Sequence, residues 1–131
     1  MIEIETENSI EIVDITSQVQ KAVEKGDLES GLCLVYTLHT TTGITINEAE
    51  SGLIQDIINL LNTAVPQARG YLHDRSDGNA HAHLQAVMLG NSAVVAFEGR
   101  RLTLGTWQRI LFLELDGPRR RKVLVKTISD R

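Results

Sequence analysis

Apolar and acidic side chains alternate along residues 2–7 (IEIETE) and 10–15 (IEIVDI), the period-two pattern of strands with one buried face. Asn8 and Ser9 supply a turn between them. From Ser17 to Lys25 the pattern becomes helical: Ser17 stands three residues before Gln20, the spacing of a capping box, and Gly26 ends the segment. Residues 31–39 (GLCLVYTLH) are apolar on both faces and rich in β-formers, as a central strand is, with a histidine at the end. Alternation resumes at Ile44 and Ile46. Leu53, Ile54, Ile57, Ile58 and Leu61 recur at i, i+3 and i+4 and define an amphipathic helix over 50–63 that stops before Pro66. Residues 66–79 carry Pro, Gly, Asp and Ser and form a loop. Asn79 is placed to cap a further helix, AHAHLQAVML, closed by Gly90. Residues 92–99 and 107–115 are strands, 116–119 a turn, and 122–128 the returning strand of a hairpin.

Six or seven strands, two longer helices and one short one, with strands clustered at both ends, predict an α+β fold: a largely antiparallel sheet system covered by helices, in one domain over 1–131. A doubly wound parallel fold fits poorly, because strands and helices do not alternate and no Gly-rich loop follows the first strand.

Composition narrows the class. A chain of 131 residues, 42% hydrophobic, suffices for one core. A net charge of −4 gives no basic face for nucleic acid, and the run Arg119–Lys122 is too local to change that. No stretch approaches the roughly 20 apolar residues of a membrane helix, and the first residues lack the basic start and apolar stretch of a signal peptide. The expected address is the cytoplasm, with neither membrane nor nucleic acid as partner. Cys33, the single cysteine, lies in an apolar run; it makes no internal disulfide and reads as a small buried residue rather than a nucleophile.

Three of the four histidines fall within residues 73–83. If His81 and His83 share a helix they point about 200° apart and cannot both reach one ion. Along that helix Ala80, His83 and Val87 form the stripe expected to face inward, leaving His81 near the edge. His39, His73 and His83 then come from three separate elements, the make-up of a zinc site with an open position. The alternative is a set of unrelated histidines bonded to backbone carbonyls, since an unpaired buried imidazole costs about 1–3 kcal/mol. No compact signature such as His-Glu-x-x-His decides between them.

Other candidates have similarly paired readings. Glu114 is flanked by apolar residues on a strand buried on both faces, so it requires a cation, and Arg119 or Arg121 just past the turn is placed to supply one. A guanidinium not so used suits phosphate. Thr40, Thr41 and Thr42 offer hydroxyls to an oxyanion or serve the turn. Glu48 is a general base, a partner for a histidine, or a helix-capping acid. Trp107 and Gln108 offer a stacking plate and an amide, or packing. Asp77, before Gly78, is turn chemistry or an orienting partner for His73.

The stretches HTT (39–41), TINE (45–48), YLH (71–73), NAHAHL (79–84), LTLGTWQ (102–108) and ELDGPRRR (114–121) resemble, in order and over nearly the whole chain, those of the YjbQ family, also labelled secondary thiamine-phosphate synthase. The resemblance implies an α+β domain assembled as a homotrimer, with a site for a small phosphorylated metabolite near the histidines. It implies a weak, secondary ability to join a pyrimidine pyrophosphate to a thiazole phosphate, with a divalent metal, zinc first among candidates. The family's histidines fall on His39, His73 and His83, and its acid and turn motifs on Glu48, Glu114, Arg119 and Arg121. His81 departs from the pattern, since the family often carries a non-ligating residue there. On this reading Glu48, Thr41 and Gln108 act catalytically, Arg119, Arg121, Thr40 and Trp107 hold the ligand, and Glu114 and Asp77 orient. The alternative class is a non-catalytic trimeric binding module for a phosphorylated metabolite.

Overall fold

The computed structural model describes residues 1–131 as two antiparallel sheets and three helices. In chain order the elements are β1 (Ile2–Glu5), β2 (Glu11–Asp14), α1 (Thr16–Lys25), β3 (Gly31–Thr37), β4 (Thr42–Asn47), α2 (Ser51–Ala64), a single-turn 3₁₀ helix (Leu72–Arg75), α3 (Ala80–Leu89), β5 (Ser92–Glu98), β6 (Arg101–Leu102), β7 (Arg109–Glu114) and β8 (Arg120–Ser129). The larger sheet runs β1-β8-β3-β5-β6 and the smaller β2-β7-β4. The α+β architecture read from the sequence is the one observed.

The two sheets enclose the main core. Ile2, Ile4, Cys33, Val35, Val95, Phe97 and Val123 from one meet Ile44, Ile110 and Phe112 from the other, with Val19 and Val23 of α1 closing an end. The opposite face of the smaller sheet presents Leu111, Leu113 and Leu115 to Leu61 of α2 and Ala82 of α3. β7 is therefore buried on both faces, as its unbroken apolar run requires. Cys33 is fully buried, and that burial pushes its thiol up to about 11.

Local structure departs from the sequence pattern in several places. The expected 116–119 hairpin does not form: both edges of β7 are already taken by β2 and β4, so the turn carries the chain to β8 in the other sheet. The Asn8–Ser9 connection crosses between sheets in the same way. The two crossovers touch, with the Gly117 amide donating to the Ser9 carbonyl at 3.0 Å; a Cβ on Gly117 would stand 2.4 Å from the Asn8 carbonyl oxygen, so only glycine fits. The Ser17–Gln20 capping box is absent. Asp14 instead accepts from the Thr16 amide and hydroxyl, while Gln20 bridges to β6 through the Arg100 carbonyl and the Leu102 amide. Asn79 does not cap α3 with its side chain; Asp74 does, accepting from the Ala80 amide at 3.0 Å.

Candidate functional site

β3 ends at Thr37 and β4 begins at Thr42, and the Thr37 and Thr42 hydroxyls, 2.7 Å apart and buried, clasp the base of the connection between them. This holds His39 against β8, where its Nε2 accepts the Lys122 backbone N–H at 2.8 Å. An imidazole nitrogen that accepts carries no proton, so the neutral ring bears its hydrogen on Nδ1. Burial chiefly, then the charges of Arg121, Arg119 and Lys122, hold the His39 pKa below its ordinary 6.5 against an opposing pull from Glu114. His39 is thus a neutral ring with Nδ1–H as its remaining polar group.

Across from it, α3 contributes His83. Both rings line one concavity of about 500 Å³, together with Thr40, Thr42 and Asn91. His73, from the 3₁₀ helix, packs edge-to-face on His83, with ring centroids 4.7 Å apart at 80°, and its Nε2 lies 3.9 Å from the exposed Asp77 carboxylate. On the other side of His39 lies a second hollow, of about 630 Å³, bordered by Glu3, Glu5, Arg120, Arg121 and Lys122. His39 is the one residue common to both hollows.

α3 is oriented differently from the expectation. Ala82, Gln85, Ala86 and Leu89 pack inward, while Val87 is 79% exposed. The helix is apolar on nearly every side, so periodicity does not select a face. His83 consequently sits at the edge of the packed face and opens on the first concavity, whereas His81 opens on a different one beside Asp116. The inference that the two cannot share a ligand holds; the inward stripe through His83 does not.

Glu114 and Arg121 form a buried ion pair, bonded from Nε to Oε1 at 2.8 Å and again from Nη2 to Oε2. The same Nη2 donates to the Thr41 hydroxyl at 2.9 Å, and the Thr6 hydroxyl donates to Glu114 Oε1 at 2.8 Å. Burial alone would raise the Glu114 pKa; the bonds from Arg121, Thr6 and the Asp116 amide, with the Arg121 charge, bring it below 4.5. Of the two arginines considered for Glu114, Arg121 is the partner. Thr41 and the bonded face of Arg121, expected as catalytic hydroxyl and phosphate fork, are buried in this network. Arg119 is half exposed and folds back on Asp116, whose carboxylate also receives the Asn79 amide at 2.9 Å.

The remaining candidates lie elsewhere. His39 precedes β4 and Glu48 follows it, which separates them by about 20 Å of strand. Glu48 lines a shallow hollow with Asp14, Glu50, Trp107 and Arg109. Trp107 is 70% exposed, at the tip of a turn closed by Gln108, whose Oε1 accepts the Gly105 amide at 2.8 Å. Glu50, not Glu48, caps α2 by accepting from the Gly52 and Leu53 amides. Within one chain Glu48, Trp107 and Gln108 do not join the histidines.

A family model described as "UPF0047 protein YjbQ-like" matches residues 1–130. The chain belongs to the YjbQ family. It is 56% identical over 125 residues to a UPF0047 protein of Archaeoglobus fulgidus, covering 95% of this chain and 97% of that one. It is 38% identical to the UPF0047 protein YugU of Bacillus subtilis, covering 98% and 97%. Among solved structures, a YbjQ-like protein of unknown function from Sulfolobus solfataricus superposes with a TM-score of 0.95 at 40% identity, covering 98% of this chain and 94% of the other. A YjbQ/UPF0047 protein from Clostridium acetobutylicum gives 0.92 at 43%, covering 97% and 98%.

Whether this YjbQ chain gathers a three-histidine metal centre is a question of donor atoms. No group of three or more His, Cys, Asp or Glu side chains is clustered to hold an ion. The His39 Nε2 lone pair is already directed at the Lys122 amide, and its protonated Nδ1 has none to give. The set His39, His73 and His83 therefore does not fit as a preformed centre, although His73 and His83 form an adjacent pair. Sequence reasoning missed Lys122, which acts through its amide, and Asp116, which ties Arg119 to the start of α3. Only the second had a readable signal, an acid beside the arginine-rich turn.

Proposed function

We propose that this YjbQ chain is an enzyme acting on phosphorylated small molecules, and that slow joining of a pyrimidine pyrophosphate to a thiazole phosphate is a reaction its His39 site can perform. The observation that carries this is the position of His39 between two hollows, one lined by histidine and threonine and the other by Arg120, Arg121 and Lys122 together with Glu3 and Glu5, since a two-substrate reaction needs two adjoining subsites. In that reaction the thiazole nitrogen bonds to the exocyclic methylene carbon of the pyrimidine. The carbon–oxygen bond to pyrophosphate breaks, and pyrophosphate departs with the electron pair. His39, neutral and protonated on Nδ1, would donate a hydrogen bond to the departing oxygen, and Lys122, which borders the second hollow, would offset its charge. A divalent ion, expected from the family resemblance, would need donors beyond the adjacent His73–His83 pair, and no step of this reaction depends on it.

The test is steady-state assay of the two substrates with wild type, His39→Gln and His81→Ala, beside elemental analysis of each. His39→Gln should lower kcat by roughly 100-fold or more with little change in KM, while His81→Ala stays near wild type in both activity and metal content. A kcat unchanged in His39→Gln would sink the assignment. Substrates that raise Tm but are never turned over would instead identify a binding module.

A further inference from the structure

Beneath the start of α3, on the side away from His83, lies a third concavity of about 370 Å³, large enough for a small metabolite. Its walls come from five places in the chain: Ser9 between β1 and β2, Asn62 on α2, Gln67 in the loop, Asn79 and His81 at the start of α3, and Asp116 after β7. They carry four side-chain amides, one hydroxyl, an imidazole and two carboxylates, and neither lysine nor arginine.

Two polar atoms in this wall are buried without a hydrogen-bond partner, Asn79 Oδ1 and His81 Nδ1. The Asn79 orientation is fixed, because its Nδ2 donates to a carboxylate oxygen of Asp116, which can only accept. Its Oδ1 thus calls for a donor. An unsatisfied buried group costs about 1–3 kcal/mol, so the pair is a standing deficit at one edge of a polar pocket. Nothing comparable exists in the His39 site, where the ring nitrogen facing inward is bonded.

We propose that this concavity is a second binding site, separate from the His39 site, for a small neutral polyol. The charge balance favours neutrality. Asp116 is already matched by Arg119 and the Asn79 amide, and Asp77 is exposed to water at the rim, 3.9 Å from His73, so no unpaired buried charge calls for a cation, and an anion would face acceptor oxygens with no cationic side chain in the lining. Hydroxyls, which both donate and accept, satisfy Asn79 Oδ1 and also His81 Nδ1 in either tautomer. Because both atoms are shielded from solvent in the free protein, binding includes a turn of the His81 ring about its Cβ–Cγ bond, which exchanges Nδ1 with Cδ2.

The experiment is a titration of the full-length protein with D-ribose and with erythritol, read by ¹⁵N-edited NMR of the histidine rings, with inorganic phosphate as control. His81 resonances should move saturably with at least one polyol and not with phosphate, while those of His83 stay in place. Asn79→Ala should weaken the response about tenfold, the loss of one hydrogen bond. His81→Phe, which keeps a ring but removes both nitrogens, should abolish the polyol-induced rise in Tm. The proposal is overturned if neither polyol moves His81, if phosphate moves it equally, or if the stabilisation survives both substitutions. A crystal soaked in ribose showing only water between the two orphaned atoms also overturns it.

Discussion

Glu114 and Arg121 show how a single buried pair fixes the join between the sheets. Glu114 belongs to β7 and Arg121 to β8, so the bonds between them span the place where the chain leaves one sheet for the other. Removing one partner leaves a charge in the core, which costs about 3–5 kcal/mol. Arg121→Met should lower the unfolding free energy by that order in urea titration, and replacing both residues with apolar ones should recover part of it. The pH dependence follows from the lowered Glu114 pKa: its stabilisation is complete above about pH 4.5 and is lost as pH falls through the lower folded-state value. Unfolding midpoints measured from pH 6 down to 2 should therefore converge between wild type and Glu114→Gln at the acid end. His39 has the same sign for a different reason. Its folded pKa is depressed, so the neutral ring stabilises the fold above pH 6.5, and that contribution fades as pH drops through the depressed value. NMR titration should find His39 below 6.5, with its proton on Nδ1. The need for a partner to Glu114 was legible in the sequence, because a carboxylate on a doubly buried strand has few alternatives. The tautomer of His39 was not, since its partner is a main-chain amide 83 positions away that carries no side-chain signature.

At the scale of elements, periodicity served well where one face is apolar and failed where every face is. The α2 stripe Leu53, Ile54, Ile57, Ile58 and Leu61 is the less exposed face of the helix, with Ile57 and Leu61 packed against the leucines of β7, and the strand runs fall within a few residues of their expected places. α3 gave no such cue, and its rotation is set by contact with β4. Gly43 is the contact point: a Cβ there would lie 2.9 Å from both Cβ and Cδ1 of Leu89. Gly43→Ala should push α3 outward, costing about 1–3 kcal/mol as overpacking does. It should also disturb the His83 ring signals more than those of His39, a split that a uniform loss of stability would not produce. The hairpin error has a similar root, because a tight turn after an apolar strand announces a reversal of the chain but not the sheet that receives it. That choice depends on β2 and β4 occupying both edges of β7, a long-range outcome. The candidate site suffered most from this limit: residues near one another along the chain, such as His81 and His83, open on different hollows, whereas His39 and His83 meet through sheet topology.

Across the whole molecule, the larger sheet covers the core with one face and leaves the other uncovered. That outer face is charged along β1 and the start of β8, where Glu3, Glu5, Arg120 and Lys122 are exposed, but apolar towards β3 and β5. Leu32 lies beside Ile128 across the β3–β8 pairing and Leu34 beside Val94 across β3–β5, with Leu32, Val94 and Ile128 exposed by 42%, 58% and 60%. An antiparallel sheet facing water usually alternates apolar-in with polar-out, and a contiguous apolar face marks a contact surface. If the homotrimer implied by the family resemblance forms, this face offers apolar area to support it, as does the exposed side of α3 with Leu84, Val87 and Met88. Sedimentation equilibrium should then give about three times the 14.5 kDa chain mass. Val94→Glu, at the centre of the face, should shift the species towards a single chain without unfolding it, because a residue already in water in the isolated chain contributes little to the core. Circular dichroism would check that the variant keeps its fold. Wild type sedimenting as one chain at every concentration, or Val94→Glu assembling as wild type does, would remove this face as the site of self-association. The two-hollow reading of His39 would survive that result, since the residues that line both hollows here come from one chain.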